Sequence, residues 1–213
     1  MPASDSAFSG LQFLASAAQP AQLPVEDLPE LAFAGRSNVG KSSAINALAR
    51  RRRLAFFSKT PGRTQTINFF ELGDRGRLVD LPGYGFARAA RALREEWDRL
   101  VGGYLAARGS LAGVVVLMDA RRPLTPHDEL LLDWLRPAGR PLLVLLSKCD
   151  KLSRESRGRL LREVQARMAR TDPAAQIRLF SAHSGEGVDE VRALLDDWLR
   201  AARGNKKPPV KGM

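Results

Sequence analysis

The stretch that decides the fold is G-R-S-N-V-G-K-S, residues 35–42. It fits the pattern G-x-x-x-x-G-K-[ST] and stands between an apolar run at 31–34 and a helix predicted over 42–53. Glycines let the backbone wrap closely around phosphate oxygens, and the N–H groups at the helix start make a positive concavity. We therefore predict a phosphate site formed by Gly35, Arg36, Ser37, Asn38, Val39, Gly40, Lys41, Ser42 and Ser43. Lys41 would reach the β- and γ-phosphate oxygens, and the Ser42 hydroxyl would bind Mg²⁺.

A second motif, D-L-P-G, ends a strand predicted over 77–81 and matches D-x-x-G. We expect nucleotide contacts from Asp80, Leu81, Pro82 and Gly83. Asp80 would hold Mg²⁺ through a water, and the Gly83 N–H would bind the γ-phosphate and register its loss on hydrolysis. Nucleotide hydrolases with this motif often place a water-orienting glutamine directly after it, where this chain has Tyr84. We therefore expect slow intrinsic hydrolysis, with the missing group supplied by a partner, another loop or a cation.

Two later motifs point to the base of the nucleotide. S-K-C-D at 147–150 follows a strand predicted over 142–146 and resembles the guanine-reading pattern [NT]-K-x-D, with serine at the first position. An aspartate carboxylate accepts hydrogen bonds from guanine N1–H and N2–H₂, which adenine does not offer, so an ATPase is disfavoured. F-S-A at 180–182 resembles the loop whose backbone approaches guanine O6. The predicted base contacts are Ser147, Lys148, Cys149, Asp150, Phe180, Ser181 and Ala182.

The loop T-P-G-R-T-Q-T at 60–66 lies between the first two motifs. A threonine here would complete the Mg²⁺ shell and close over the γ-phosphate. Thr64 and Thr66 are both candidates, and local chemistry does not separate them. The predicted contacts in this loop are Gly62, Arg63, Thr64, Gln65 and Thr66.

Apolar patterning predicts the α/β class, with a mainly parallel sheet. Short Val/Leu runs at 113–118 and 142–146 are typical of central strands covered on both faces. Helices are predicted between the strands, among them residues 89–107 and 157–168. Runs at 66–72 and 77–81, separated by G-D-R-G, predict an antiparallel hairpin. We expect an N-terminal arm over 1–28 that either adds an edge strand or stays loose, a nucleotide-binding domain over 29–203 and a disordered basic tail over 204–213.

The charge of the 213-residue chain is +11, from 34 Lys and Arg against 23 Asp and Glu. Residues 36–63 hold eight basic and no acidic side chains, and residues 200–213 hold five basic and no acidic side chains. These two segments therefore carry the whole excess of positive charge.

The one cysteine and two histidines exclude a typical Cys/His zinc site. No apolar run approaches the roughly 20 residues that span a bilayer. We expect a cytoplasmic protein that meets an acidic partner.

Three longer matches identify a family resemblance: G-R-S-N-V-G-K-S-S at 35–43, K-T-P-G-R-T-Q-T-I-N-F-F at 59–70 and D-L-P-G-Y-G-F-A at 80–87. Together they resemble the EngB (YihA/YsxC) family of the TrmE–Era group of GTPases. The resemblance covers about residues 8–200. It implies a P-loop NTPase three-layer sandwich, with a six-stranded, mostly parallel sheet that includes one antiparallel hairpin and helices on both faces.

The resemblance also implies function. It implies a GTPase that takes GTP to GDP and phosphate, with Lys41, Thr64 and Gly83 carrying the chemistry and Ser42, Thr64 and Asp80 (through water) holding Mg²⁺. Asn38 matches relatives that hold K⁺ at this position; the alternative is that it only caps the loop. The implied role is assembly of the large (50S) ribosomal subunit, needed for cell division and septation. The competing hypothesis is an RNA-binding scaffold whose GTP binding orders loops, with hydrolysis incidental.

The basic segments supply the candidate RNA contacts: Arg50, Arg51, Arg52, Arg53, Lys206 and Lys207. Neutralising phosphates releases counterions, so binding to a large-subunit precursor should weaken steeply with salt. The alternative for the arginines is a solvated helix end, where cations are favourable. We expect a monomer with no membrane partner.

Overall fold

The computed structural model describes residues 8–55, 66–84, 95 and 98–204. Within these ranges one seven-stranded sheet forms the centre of the fold, in the order β1-β3-β4-β2-β5-β6-β7. The strands are β1 (Gln12–Ala17), β2 (Glu30–Gly35), β3 (Ile67–Glu71), β4 (Arg77–Asp80), β5 (Leu111–Asp119), β6 (Leu142–Ser147) and β7 (Gln176–Phe180). The described α-helices are α1 (Lys41–Leu48), α2 (Gly103–Ala107), α3 (Pro126–Leu135), α4 (Arg154–Met168) and α5 (Val188–Gly204).

The predicted fold class is confirmed. Strands β4, β2, β5, β6 and β7 pair in parallel, and β3 pairs with β4 in the predicted antiparallel hairpin. The predicted count of six strands is wrong, because Gln12–Ala17 of the N-terminal arm pairs antiparallel with β3 and adds a seventh. The arm thus supplies an edge strand, one of its two predicted alternatives.

The sheet is covered on both faces, as continuous apolar strands require. One apolar cluster joins alternate strand residues such as Val114, Val116 and Val144 to α2, α3 and α4. The other joins the intervening residues, such as Val115 and Leu145, to α1 and α5. Because side chains alternate across a strand, each central strand feeds both clusters. The result is the predicted three-layer arrangement.

Local chemistry explains where two helices begin. The Thr125 hydroxyl accepts from the Asp128 N–H at the start of α3, and the Asp128 carboxylate accepts from the Thr125 N–H, which makes a capping box with Pro126 in the first turn. The Ser153 hydroxyl accepts from the Ser156 N–H at the start of α4. The helix predicted over 157–168 therefore begins three residues earlier, at Arg154.

The helix predicted over 42–53 is too long. It ends at Leu48, because Arg50 takes a left-handed conformation with φ of 52°. The Arg50 N–H donates to Ala47 O at 3.1 Å, and the Arg51 N–H donates to Asn46 O at 3.0 Å, which is the Schellman pattern of a helix end. The four arginines at 50–53 therefore follow the helix in a loop and do not lie on it.

The helix predicted over 89–107 falls partly outside the described residues. Among its described residues, Glu95 is helical, and one π-helical turn, Asp98–Gly102, is followed by α2. Among the helices that the structure describes, none is long and apolar enough to cross a membrane.

Candidate functional site

The carboxyl ends of the parallel strands meet at one edge of the sheet and bring the motifs together. Register places Asp119 opposite Ser147 and Ser147 opposite Phe180, while Asp80 of β4 lies beside Phe33 of β2. In parallel α/β sheets this edge is where ligands bind. One region at this edge is therefore surrounded by all four predicted motifs: the phosphate loop, D-x-x-G, S-K-C-D and S-A.

The phosphate loop joins β2 to α1. Gly40 precedes the helix with φ of 112°, a left-handed value that favours glycine, and Asn38 is also left-handed with φ of 63°. The first turn of α1 holds Lys41, Ser42 and Ser43, and the Lys41 ammonium donates to Gly35 O at 3.2 Å. This conformation bends the loop into a turn at the N-terminus of a helix, the geometry that suits an anion.

Two opposite charges, Lys41 and the buried Asp80, belong to the phosphate loop and the D-x-x-G motif. Ser42 Oγ lies 3.4 Å from Asp80 Oδ2, and Asp80 Oδ1 is buried with no hydrogen-bond partner among the described residues. Burial lowers the pKa of Lys41, against the attraction of Asp80, and burial raises the pKa of Asp80, against the attraction of Lys41. Burial thus disfavours both charges. A phosphate beside Lys41 and a cation beside Asp80 would compensate them.

The D-x-x-G segment lies directly against the phosphate loop. A Cβ on Gly83 would come 2.8 Å from Ser37 Oγ and 3.0 Å from Ser37 Cα, so only glycine fits. The Ser37 N–H donates to Tyr84 O at 3.2 Å. Leu81 points into the core, and its N–H donates to Phe33 O at 3.0 Å. The segment is therefore held by backbone contacts to both β2 and the phosphate loop.

Of the two candidate threonines, Thr66 is described and Thr64 is not. The Thr66 hydroxyl donates to Asn68 Oδ1 at 3.3 Å, just before β3. The predicted contacts Gly62, Arg63, Thr64 and Gln65 lie outside the described residues. The choice of Thr64 stays a prediction.

Ser147 shows what serine does at the first position of the S-K-C-D motif. Its buried hydroxyl lies 2.8 Å from Val39 O in the phosphate loop and 3.0 Å from Met118 O in β5. It therefore links the S-K-C-D segment, which is predicted to bind the base, to the phosphate loop. Lys148, with φ of 59°, extends across the same loop, and its ammonium donates to Asn38 O at 2.8 Å.

The aspartate that would read guanine is oriented by the predicted S-A loop. The Ser181 hydroxyl donates to Asp150 Oδ1 at 2.7 Å, and this hydrogen bond lowers the pKa of Asp150. The Asp150 carboxylate is thus ionised and oriented by Ser181. The sequence predicted Ser181 as a site residue only from its position after the last strand. Cys149 is fully buried in the core, and burial raises the pKa of its thiol to about 11. Phe180 is buried as well, whereas Ala182 is exposed.

Asp119 is a site residue that the sequence analysis missed. It ends β5, accepts from Arg121 at 2.6 Å and pairs with the Lys148 ammonium at 3.1 Å. The hydrogen bond from Arg121 holds the pKa of Asp119 well below its usual value. A polar residue directly after a buried Val/Leu run was the available signal, because such positions lie at the ligand-binding edge.

Comparison with known proteins places the chain in a family. A family model described as "50S ribosome-binding GTPase" matches residues 30–148. The "Probable GTP-binding protein EngB" of Dechloromonas aromatica is 50% identical over 210 residues, which cover 96% of each chain. The chain belongs to the EngB family of GTP-binding proteins. Its resemblance to this family, seen first in the motifs, is therefore confirmed.

Solved structures agree on the fold of this EngB-family chain. A crystal structure of a probable GTP-binding protein EngB matches with a TM-score of 0.64 at 22% identity, over 81% of this chain and 99% of that one. Era in complex with MgGDPNP and nucleotides 1506–1542 of 16S ribosomal RNA matches with a TM-score of 0.63 at 20% identity, over 87% of this chain and 60% of Era. At these identities the likeness supports the GTPase fold alone.

Proposed function

We propose that this chain hydrolyses GTP to GDP and phosphate as a switch in assembly of the large (50S) ribosomal subunit. The observation that carries the proposal is the meeting of three motifs at one sheet edge: the phosphate loop, D-x-x-G packed against it, and Asp150 oriented by Ser181. Single-turnover GTP hydrolysis, measured with and without large-subunit precursor particles, tests it. The proposal requires turnover that rises with the particles.

The proposed roles of the residues follow their positions. Lys41 and the N–H groups of residues 36–43 would bind the phosphates, and the Gly83 N–H would bind the γ-phosphate. Asp150 would read guanine, with its carboxylate oriented by the Ser181 hydroxyl. Lys148, which donates to Asn38 O, would lie across the phosphate loop beside the base. Thr64 would close over the γ-phosphate. In-line attack of water on the γ-phosphoryl group would then proceed with its developing charge neutralised by Lys41 and the loop N–H groups.

The Mg²⁺ ligands we propose are Ser42, Thr64 and, through a water, Asp80. The buried, unpartnered Asp80 Oδ1 beside the Ser42 hydroxyl fits such a cation. Mg²⁺ needs few protein ligands beside phosphate oxygens, so a hydroxyl and one or two further oxygens suffice. When bound, Mg²⁺ would neutralise charge on the β- and γ-phosphates.

A monovalent cation would supply part of the charge stabilisation that a glutamine or arginine finger gives elsewhere. We propose K⁺ held by Asn38, an exposed residue of the phosphate loop with a left-handed backbone. Turnover should be faster in KCl than in NaCl at the same ionic strength, and Asn38→Ala should remove the difference. Equal rates in the two salts would leave Asn38 as a loop-capping residue only.

The proposed ribosomal contact is the basic surface at Arg50, Arg51, Arg52 and Arg53, together with Lys206 and Lys207, which lie outside the described residues. Arg51 donates to Leu11 O at 3.0 Å, and Arg50 lies 3.5 Å from the exposed Asp189. Arg52 and Arg53 form no ion pair or hydrogen bond with another described residue, so both guanidinium groups are available for phosphates. The family description as a 50S ribosome-binding GTPase supports this partner.

A charge-matched pair of double variants tests this surface. Arg52→Ala with Arg53→Ala should weaken binding to large-subunit precursors and make the slope of log K against log salt shallower by about 1.5–2. Arg159→Ala with Arg162→Ala removes the same charge from α4 and should leave both quantities unchanged. Equal effects of the two double variants would indicate non-specific attraction.

The competing function is an RNA-binding scaffold whose nucleotide only orders loops. Tyr84 in place of glutamine favours it, because the site then lacks a side chain that orients water. Ribosomal particles that bind the GTP form but never accelerate turnover would support the scaffold. The proposed switch further implies work in the cytoplasm as a monomer, and an effect on cell division and septation through ribosome supply.

A further inference from the structure

Tyr84, which follows the D-x-x-G motif, is turned away from solvent. The side chain is buried, and its hydroxyl donates to Asp128 Oδ1 at 2.9 Å. Burial raises the pKa of Tyr84 far above its ordinary value, so the phenol keeps its proton and acts as the donor. The residue at the glutamine position is therefore tied to α3.

Asp128 is built to receive this hydrogen bond. It is only 1% exposed, and its other carboxylate oxygen accepts from the Thr125 N–H at 2.9 Å and from the Thr125 hydroxyl at 2.8 Å. A buried carboxylate needs such donors, so loss of one of them is costly. The same Thr125 hydroxyl accepts from the Arg36 guanidinium at 3.3 Å. Arg36, Thr125, Asp128 and Tyr84 thus form one chain of hydrogen bonds between the phosphate loop and the D-x-x-G segment.

The backbone completes a second connection between the same two segments. Arg36 and Tyr84 form a parallel bridge, and the Ser37 N–H donates to Tyr84 O. Gly83 lies between Asp80 and this bridge, in contact with Ser37. The position of the Gly83 N–H is consequently fixed both by the backbone contact with Ser37 and by the buried side chain of the next residue, Tyr84.

We propose that Asp128 and Tyr84 are positioning residues that hold the Gly83 N–H where it meets a γ-phosphate, an inference that rests on the proposed GTP function. Both side chains are buried and would act through the backbone of the D-x-x-G segment. Their effect is specific to the triphosphate, because GDP has no group at the Gly83 position. A residue that merely stabilised the phosphate loop would affect GDP and GTP alike.

The ratio of two affinities tests this inference. For Tyr84→Phe and Asp128→Asn, we expect the affinity for a non-hydrolysable GTP analogue to fall 5- to 30-fold, measured by titration calorimetry with Mg²⁺. The affinity for GDP should change less than 2-fold. GTP turnover at saturating substrate should fall as well. Asp133→Asn, which changes an exposed residue of the same helix, is the matched control and should alter neither affinity.

Each outcome decides something. An unchanged ratio of the two affinities in Tyr84→Phe, or an equal loss for both nucleotides, overturns the positioning role. If Asp128→Asn lowers the melting temperature so far that it is unfolded at the assay temperature, Tyr84→Phe, which deletes one hydroxyl only, decides alone. Failure of the underlying GTP function looks different, because the unaltered chain would then bind neither nucleotide.

Discussion

Single side chains tie the nucleotide motifs to one another. Ser147 occupies a position where the pattern has Asn or Thr, and its hydroxyl donates toward Val39 O and Met118 O, so serine links this motif to the phosphate loop. Ser181 donates to Asp150, and Lys148 is shared between Asp119 and Asn38 O. The carboxylate of Asp150, which we propose reads the base, is therefore oriented by Ser181 without a ligand.

Asp150→Asn should lower the affinity for GDP by about 10- to 150-fold, because hydrogen bonds to a charged acceptor contribute about 1.5–3 kcal/mol. Asn offers one acceptor and a donor where guanine needs two acceptors. Ser181→Ala, which removes only the orienting hydroxyl, should cost about 1 kcal/mol. Calorimetric titration with GDP, and with ADP for comparison, measures both effects.

Asp197→Asn changes an exposed aspartate on α5 and serves as the control, with no change in GDP affinity expected. If Asp150→Asn binds GDP as tightly as the unaltered chain, Asp150 does not read the base.

Asp119 is a residue of this region that could not be predicted from the sequence. No motif contained it, and its contact with Lys148 depends on the register of β5 against β6.

At the scale of elements, the sequence predicts the presence and start of α1 but not the residue at which it ends. The helix itself was predictable from the motif that precedes it. Its end was not, because residues 49–53 contain no glycine or proline to signal a stop. Tertiary contacts set the end instead: the Asn46 side chain accepts from the Leu54 and Ala55 N–H groups and donates to Ala55 O. The chain therefore turns back on the helix and leaves Arg50 left-handed.

Arg50→Gly should be more stable than Arg50→Ala by about 1 kcal/mol, because glycine adopts a left-handed conformation without the Cβ penalty. Both variants lose the same exposed ion pair with Asp189, so that term cancels. Urea unfolding at constant pH measures the difference. At Arg52, where φ is not positive, the order should reverse, with alanine more stable than glycine. The same order at both positions would contradict the assigned helix end.

At the scale of the whole molecule, the amino end of the sheet carries a buried ionic network remote from the nucleotide site. Glu30 begins β2 with no exposed surface, and Arg108 donates to both of its carboxylate oxygens, at 2.9 and 2.6 Å. Tyr104 donates to Glu30 Oε2 at 2.9 Å, and burial raises the pKa of Tyr104. The network anchors α2 and the residue after it to the sheet, roughly 16 Å from the phosphate loop along β2.

Glu30→Gln should lower the free energy of unfolding by about 3 kcal/mol, because it leaves the buried Arg108 without a full counter-charge. The affinity for GDP should stay within 2-fold, since the network lies at the opposite end of the strand. Denaturant unfolding and GDP titration of the same variant measure the two quantities. Glu163→Gln, on the exposed side of α4, should change neither. A large loss of GDP affinity in folded Glu30→Gln would show that the two ends are coupled.

Most of the sheet was predictable, because its Val/Leu runs, its glycine loops and the order of its motifs agree with one another. The ionic network was not. Glu30 and Arg108 are 78 residues apart, and a charged residue beside a strand is more often exposed than buried. An edge strand from the N-terminal arm was predicted only as one of two alternatives, without its partner strand, because residues 12–17 lack a clear alternation of apolar and polar residues.

The seventh strand decides which strand borders solvent. Without it, β3 would present the unpaired N–H and C=O groups of I-N-F-F-E, a segment with two adjacent phenylalanines that invites self-association. β1 covers that border with six residues and an irregular register between Phe13 and Ala15, a break that discourages a further chain from adding on. A shortened recombinant protein that begins after Ala17 would therefore lose solubility before it lost its nucleotide site.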